Sequence, residues 1–179
     1  SLKMRLVWEN ASECMVLVEL LNTLRLSRIA LHARTGKQQY KGHPDLEAFQ
    51  GFYELCQHPL YYNGDIESLS DIRQILTRFP LLKGVFIGRG LLSSPLLAKE
   101  FKGNETFLPE QRMSIYFAFH EELFSAYSQV LQGETQLLVK MKTLWEYFLP
   151  ETDRKLLKRI KKSTRLQQYT ESVKAIFTS

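Results

Sequence analysis

The sequence predicts an α/β chain in two parts, four parallel strands alternating with helices over residues 1–105 and then an all-helical domain over residues 106–179. Short apolar runs of strand type alternate with amphipathic segments at a spacing of roughly twenty-five residues, as expected for βαβ units with right-handed crossovers. Each apolar run stops in a polar turn, and the last two turns contain glycine: Asn63-Gly64-Asp65-Ile66 and Gly88-Arg89-Gly90. From Pro109 onward the apolar residues follow only helical periodicity.

Residues 2–8 read as the first strand, and Ser1 and Leu2 as a remnant ahead of the recognisable pattern. Ser12 is placed to cap a helix whose apolar positions Met15, Val16, Val18, Leu20, Leu21 and Leu24 lie mostly on one face. Residues 27–31 form the second strand, which ends at His32-Ala33-Arg34-Thr35. A turn-rich stretch with Tyr40, Gly42 and Pro44 leads into a helix over 46–56. The third strand covers 59–62, and the third helix opens at Ser70. The fourth strand covers 84–87, followed by a short helix that reaches Phe101. Four helices are expected beyond, over 109–131, 135–149, 153–162 and 166–177, with Gly133 and Pro150 as breaks.

Composition narrows the setting. The 179 residues carry 24 Lys and Arg against 19 Asp and Glu, a net charge of +5 that suits a polyanionic partner. The excess is uneven: seven of the twelve residues 154–165 are basic and none is acidic. No run approaches a membrane span and no charged-then-apolar leader opens the chain, so the expected setting is the cytoplasm, with no membrane partner. Cys14 and Cys56 are too few and too isolated for a disulfide framework or a zinc site, so no metal is expected.

In a parallel sheet, ligands gather at the carboxyl ends of the strands, where glycine lets the backbone approach and its N–H groups can meet a phosphate. Four strand-end clusters are candidates: Lys3-Met4-Arg5, His32-Ala33-Arg34-Thr35, Asn63-Gly64-Asp65-Ile66 and Gly88-Arg89-Gly90. Each has a plainer reading. A Gly-Arg-Gly turn or an Asn-Gly-Asp turn is ordinary turn chemistry, a lone histidine at a strand end is usually a satisfied polar group, and Asp65 is equally suited to capping the following turn. In the tail, Arg154, Lys155, Lys158, Arg159, Lys161, Lys162 and Arg165 recur at three- and four-residue spacings. A continuous helix gathers many of them on one side, a stripe that can follow RNA phosphates or be a solvated face.

Taken in order, the four clusters, with Trp8, Tyr40 and Gly42, resemble the tRNA-dihydrouridine synthases, flavoenzymes with an FMN-binding (β/α)8 barrel followed by a small helical domain. The clusters match the ends of the family's barrel strands five to eight, and the resemblance continues through residues 142–149 into the basic helix. It implies that this chain is the second half of a TIM barrel plus the helical tRNA-binding domain. The implied reaction is FMN-dependent reduction of the C5=C6 bond of uridine in tRNA, with NADPH or NADH as reductant. The cofactor-binding residues implied are Lys3, His32, Asn63, Gly64, Asp65, Gly88, Arg89 and Gly90. Arg34 is assigned to the substrate side, and Arg154, Lys155, Lys158, Arg159 and Lys162 to RNA.

Two departures stand out. A glycine commonly follows the family's Lys-x-Arg-x unit, and here that position is Val7. The first four strands are also absent, since a whole barrel takes about 250 residues. With them goes the family's general-acid cysteine, whose place neither Cys14 nor Cys56 takes, so no catalytic residue is expected in this chain and it should be inactive alone. The missing half must come from the parent chain or a second copy. The alternative reading is a non-catalytic RNA-binding remnant of this fold.

Overall fold

The computed structural model describes residues 1–10 and 13–178. Four strands, β1 (Leu2–Arg5), β2 (Ile29–His32), β3 (Leu60–Asn63) and β4 (Gly84–Phe86), pair in parallel in the order β1-β2-β3-β4. Between them lie α1 (Glu13–Asn22), α2 (Leu46–Leu55) and α3 (Leu69–Arg78). These elements, up to Gly90, make one compact unit.

In a parallel ladder, residues in register point to the same face. Leu2, Ile29 and Leu60 form one row, and Met4, Leu31, Tyr62 and Val85 another. Both rows face the helices: Ile29 and Leu31 are fully buried, and the Tyr62 ring meets Phe49 of α2 edge-on at 5.0 Å. The alternate rows, Lys3-Ala30-Tyr61-Gly84 and Arg5-His32-Asn63-Phe86, therefore face the other way. Met4, Ile29 and Leu31 belong to the helix-packed face, while Tyr61 and Phe86 stand on the opposite one.

The helices are held by local chemistry. The Asp45 carboxylate accepts from the Ala48 N–H at 2.9 Å and caps α2. At α3, Ser68 and Asp71 form a reciprocal capping box, so the helix begins at Leu69, one residue before the expected Ser70. The expected cap at Ser12 lies outside the described residues. In α1, Cys14, Val18 and Leu21 are buried, whereas Val16, Leu20 and the following Leu24 are exposed. The sequence carries two apolar stripes here, and only one packs.

The second unit begins at Leu91 and is all helix. After α4 (Arg89–Ser93), which opens at the end of the first unit, come α5 (Leu97–Gly103), α6 (Pro109–Val130), α7 (Gly133–Leu144), α8 (Arg154–Lys162) and α9 (Leu166–Phe177). Pro109 occupies the first turn of α6, where its missing N–H costs nothing. Gly133, expected as a break, is the first residue of α7 at φ 84°, and the helix ends at Leu144 rather than running on to Leu149. The core of this unit includes Tyr116, Met141, Trp145, Phe148, Ile160 and Tyr169.

Candidate functional site

The face of the sheet turned away from the helices carries a cleft of about 270 Å³ at the carboxyl ends of the strands. Its lining includes the whole Arg5-His32-Asn63-Phe86 row, Lys3, Tyr40, and the loops Gly64–Glu67 and Ile87–Gly90. Register explains the convergence: one residue from each strand stands in the same row, so four sequence-distant residues share one surface. All eight residues expected at a cofactor, Lys3, His32, Asn63, Gly64, Asp65, Gly88, Arg89 and Gly90, line this cleft.

Arg34 does not line the cleft. Its side chain is 1% exposed and grips Asp65 bidentately, Nη1 to Oδ1 at 2.7 Å and Nη2 to Oδ2 at 2.6 Å. Nη2 also donates to the Gly42 carbonyl at 2.6 Å, and Nε is buried without a partner. Arg34, expected on the substrate side, is thus one predicted site residue that the fold does not bring to the cleft. It turns into the protein to neutralise Asp65, and its burial keeps the guanidinium, the unpartnered Nε included, away from the cleft.

Asp65 is the hub. Besides Arg34, its Oδ1 accepts from Arg89 Nη2 at 2.9 Å. The hydrogen bonds from Arg34 hold the Asp65 carboxyl below the usual carboxylate range, against the opposing effect of burial. Arg89, 39% exposed, lies over the Tyr40 ring at 4.7 Å, and Arg5 lies over the same ring at 5.5 Å. Arg5 also donates to the carbonyls of Thr35 and Gln39, which ties β1 to the turn after β2.

His32 is nearly buried, and its pKa falls to about 4, first through burial and then through the nearby charges of Arg5, Arg34 and Lys3. At neutral pH it is an uncharged imidazole with one donor and one acceptor nitrogen. Asn63 donates from Nδ2 to the Phe86 carbonyl at 3.0 Å, bridging β3 to β4. Lys3 is exposed, and its ammonium takes no hydrogen bond or ion pair among the described residues.

The glycines have distinct jobs. A Cβ on Gly90 would lie 2.0 Å from the Ile66 carbonyl oxygen, so this glycine serves close packing of two loops. A Cβ on Gly88 meets nothing within 4 Å, which leaves its backbone open to the cleft. Gly88-Arg89-Gly90 was expected as a loop; instead Arg89 opens α4.

Sequence reasoning placed Arg5 in the first strand-end cluster and Tyr40 beside the second but gave neither of them, nor Phe86, a role at the site. Strand register brings Arg5 and Phe86 to the cleft, and the fold of the turn after β2 brings Tyr40. Among the described residues, no group of three or more His, Cys, Asp or Glu is placed to hold a metal. Neither thiol lines the cleft: Cys14 is buried on α1, and Cys56 Sγ donates to the His58 carbonyl at 3.8 Å.

In the helical unit, Leu156, Leu157 and Ile160 turn inward from α8. Arg154, Lys155, Lys158, Arg159, Lys161 and Lys162 are exposed and form no ion pair among the described residues. Asp153 caps the helix by accepting from the Lys155 and Leu156 N–H groups, so the first acid before the stripe is engaged. Such a charged face attracts a polyanion and has no competing carboxylate within it.

Comparison with known proteins adds independent information. The family model described as dihydrouridine synthase (Dus) matches residues 1–178. The chain is similar to a probable tRNA-dihydrouridine synthase of Aquifex aeolicus, 35% identical over 102 residues, which cover 57% of this chain and 32% of the relative. A probable tRNA-dihydrouridine synthase of Rhizobium leguminosarum bv. phaseoli is 34% identical over 96 residues, 53% of this chain and 30% of the relative. The tRNA-dihydrouridine(16) synthase of Escherichia coli is 27% identical over 110 residues, 61% and 35% respectively. The chain thus spans about a third of the length of the curated relatives it matches.

Proposed function

The chain belongs to the dihydrouridine synthase family, and on that premise we propose that it is part of an FMN-dependent oxidoreductase that reduces the C5=C6 bond of uridine in tRNA, with NADPH or NADH as reductant. Residues 1–105 would supply the second half of the flavin-binding barrel, and residues 106–179 the tRNA-binding part, in the cytoplasm. The observation that carries the reading is the convergence of Lys3, Arg5, His32, Asn63 and Arg89 on one cleft at the carboxyl ends of four parallel strands.

The residues present fit FMN. With Asp65 neutralised by buried Arg34, the cations Lys3, Arg5 and Arg89 outnumber the remaining lining acid, Glu67, so the cleft favours an anion. The rings of Tyr40 and Phe86 offer apolar surface to a planar group, and the open backbone at Gly88 admits close approach. When bound, the flavin supplies the hydride for C6 of the uracil ring. Arg89 would hold the phosphate through charge-assisted hydrogen bonds. Lys3 would hold positive charge beside the ring system, favouring its reduced, anionic state. Neutral His32 would offer one donor and one acceptor without adding charge, and Asn63 keeps a carbonyl oxygen for a ligand hydroxyl while its amide ties the strands. The exposed basic face of α8 would follow tRNA phosphates by charge and shape rather than by base sequence.

The proton for C5 has no donor thiol in this cleft. That observation favours a second reading of the chain by itself, an RNA-binding piece that is inactive until the other half of the barrel is supplied by the same polypeptide or by a second copy. The test is to purify the full chain, record its flavin absorbance, and assay NADPH-dependent dihydrouridine formation in tRNA that lacks the modification. Bound flavin with turnover supports the enzyme reading, and tRNA binding without flavin supports the second. Binding of neither overturns both.

A further inference from the structure

We propose that Asp65 is a positioning residue, which aims Arg89 at an anionic group in the cleft, and that buried Arg34 is the anchor that fixes Asp65. The inference rests on the reading of the cleft as a flavin-phosphate site.

Asp65 is ill suited to touch a phosphate itself. It is a carboxylate, and both of its oxygens already accept from guanidinium groups, Oδ1 from Arg34 and Arg89 and Oδ2 from Arg34. Arg34 is equally unable to meet a ligand, being enclosed and bonded to Asp65 and Gly42. Such a pair is rigid because an ion pair taken out of water holds its geometry or leaves a charge uncompensated. The backbone adds to that rigidity. Asp65 sits at φ 36° directly after Gly64 at φ 151°, a left-handed turn that two aspartate oxygens and two guanidinium nitrogens pin in place. The same loop is backed by Gly90, whose Cα approaches the Ile66 carbonyl too closely for any side chain.

Arg89 is different in every respect that matters for a ligand. It is part-exposed, it lines the cleft, and it gives Asp65 only Nη2. Its Nη1 and Nε make no hydrogen bond among the described residues, and its Cζ lies 4.7 Å from the centre of the Tyr40 ring. A long side chain loses much rotamer freedom when a ligand freezes it. Held between Asp65 and Tyr40, Arg89 has lost that freedom beforehand, so the loss no longer opposes ligand binding. The path of influence runs from Arg34 to Asp65 to Arg89, and only its last member reaches the cleft as a cation.

The experiment compares FMN with riboflavin, which lacks the phosphate, by flavin fluorescence titration of the full chain freed of cofactor. Wild type should prefer FMN. Arg89→Ala should lower the FMN-over-riboflavin preference roughly ten- to a hundredfold, the range for a hydrogen bond to a charged group. Asp65→Asn should lower it by a similar factor, and the double variant should lose no more than Arg89→Ala alone. Because Asp65→Asn leaves Arg34 without its counter-charge, Asp65→Glu serves as the second variant. It keeps the charge but shifts the carboxylate by one methylene, and it too should lower the preference. Equal losses from Asp65→Asn with and without Arg89, or an unchanged preference in Asp65→Glu, would overturn the positioning role while the flavin site stands. A wild-type chain that binds both flavins equally would instead overturn the phosphate reading, and the positioning role with it.

Discussion

Val7 sits at φ 60°, a region that a β-branched side chain enters only at a cost. The sequence resemblance led us to expect glycine at this position, and the backbone here is one that glycine suits. Left-handed geometry costs an ordinary residue about 1–2 kcal/mol, and glycine gives back about 0.5–1 kcal/mol through its freer unfolded chain. Val7→Gly should therefore stabilise the first unit by roughly 0.5–1 kcal/mol. A lower urea midpoint in the variant would contradict this. The histidines give a second expectation at this scale. Burial depresses His32 from 6.5 to about 4, and burial also lowers His120 in the helical unit. Trp145 Nε1 donates to the Tyr169 hydroxyl at 2.9 Å, that hydroxyl lies 2.7 Å from His120 Nε2, and His120 Nδ1 lies 3.1 Å from Glu121 Oε1. For both rings the unfolded chain binds the proton more readily, so each contributes stability that is complete above pH 6.5 and is lost on acidification; for His32 the loss runs from pH 6.5 toward 4. For His32 the loss is on the order of 3 kcal/mol. Asp65, held low by Arg34, acts in a lower window, its contribution lasting until the pH drops below 3.8. Urea midpoints should decline from pH 6.5 to 4, and His120→Gln should flatten the part read by buried Trp145; a level profile would contradict the assignment.

The elements differ in how plainly the sequence announces them. In α8 the inward residues Leu156, Leu157 and Ile160 alternate with unpaired cations, so periodicity and charge gave the same face. In α1 the apolar residues form two stripes, and nothing local says that Cys14, Val18 and Leu21 pack while Val16 and Leu20 do not. That choice belongs to the tertiary fold. The strand ends were legible because each stops in polar or glycine-containing turns. The row Arg5-His32-Asn63-Phe86 needed the register of three ladders, which no single segment encodes. Arg34 was assigned to the substrate side because its partner, Asp65, comes from the next strand end, and no single segment shows the pairing. The tail, being legible, carries the element-scale prediction. Changing Lys158, Arg159 and Lys162 to glutamate, with the inward apolar residues untouched, should leave α8 folded and weaken binding across all tRNAs. The slope of log affinity against log salt should become shallower by about two to three, as three phosphate contacts are lost. Unchanged affinity and slope in filter binding would remove α8 from the RNA surface.

At the scale of the whole molecule, the sheet is open. Among the described residues β1 pairs only with β2 and β4 only with β3, so both edges present unpaired N–H and C=O groups. The face away from the helices carries the half-buried rings of Tyr61 and Phe86, which meet each other edge-on at 5.6 Å. Elsewhere in this unit, Trp8, Val16 and Leu20 are more than half exposed. Covering large apolar side chains of this kind is worth roughly 1.5–3 kcal/mol each, against about 5–15 kcal/mol for the stability of a whole domain. Leaving several uncovered therefore consumes a large part of what holds a unit of this size together. In a closed barrel, further strands satisfy both edges and further side chains fill the inner face. The 179-residue chain expressed by itself should then self-associate, covering its edges with a second copy, and should not form dihydrouridine, because no thiol faces its cleft. Light scattering over a concentration series, run beside a turnover assay on unmodified tRNA, reads both parts. A dimer or larger assembly without turnover is the expected result. A monomer that stays soluble at high concentration and makes dihydrouridine unaided would mean that the open edges carry no such cost and that the proton for C5 comes from another group in this cleft.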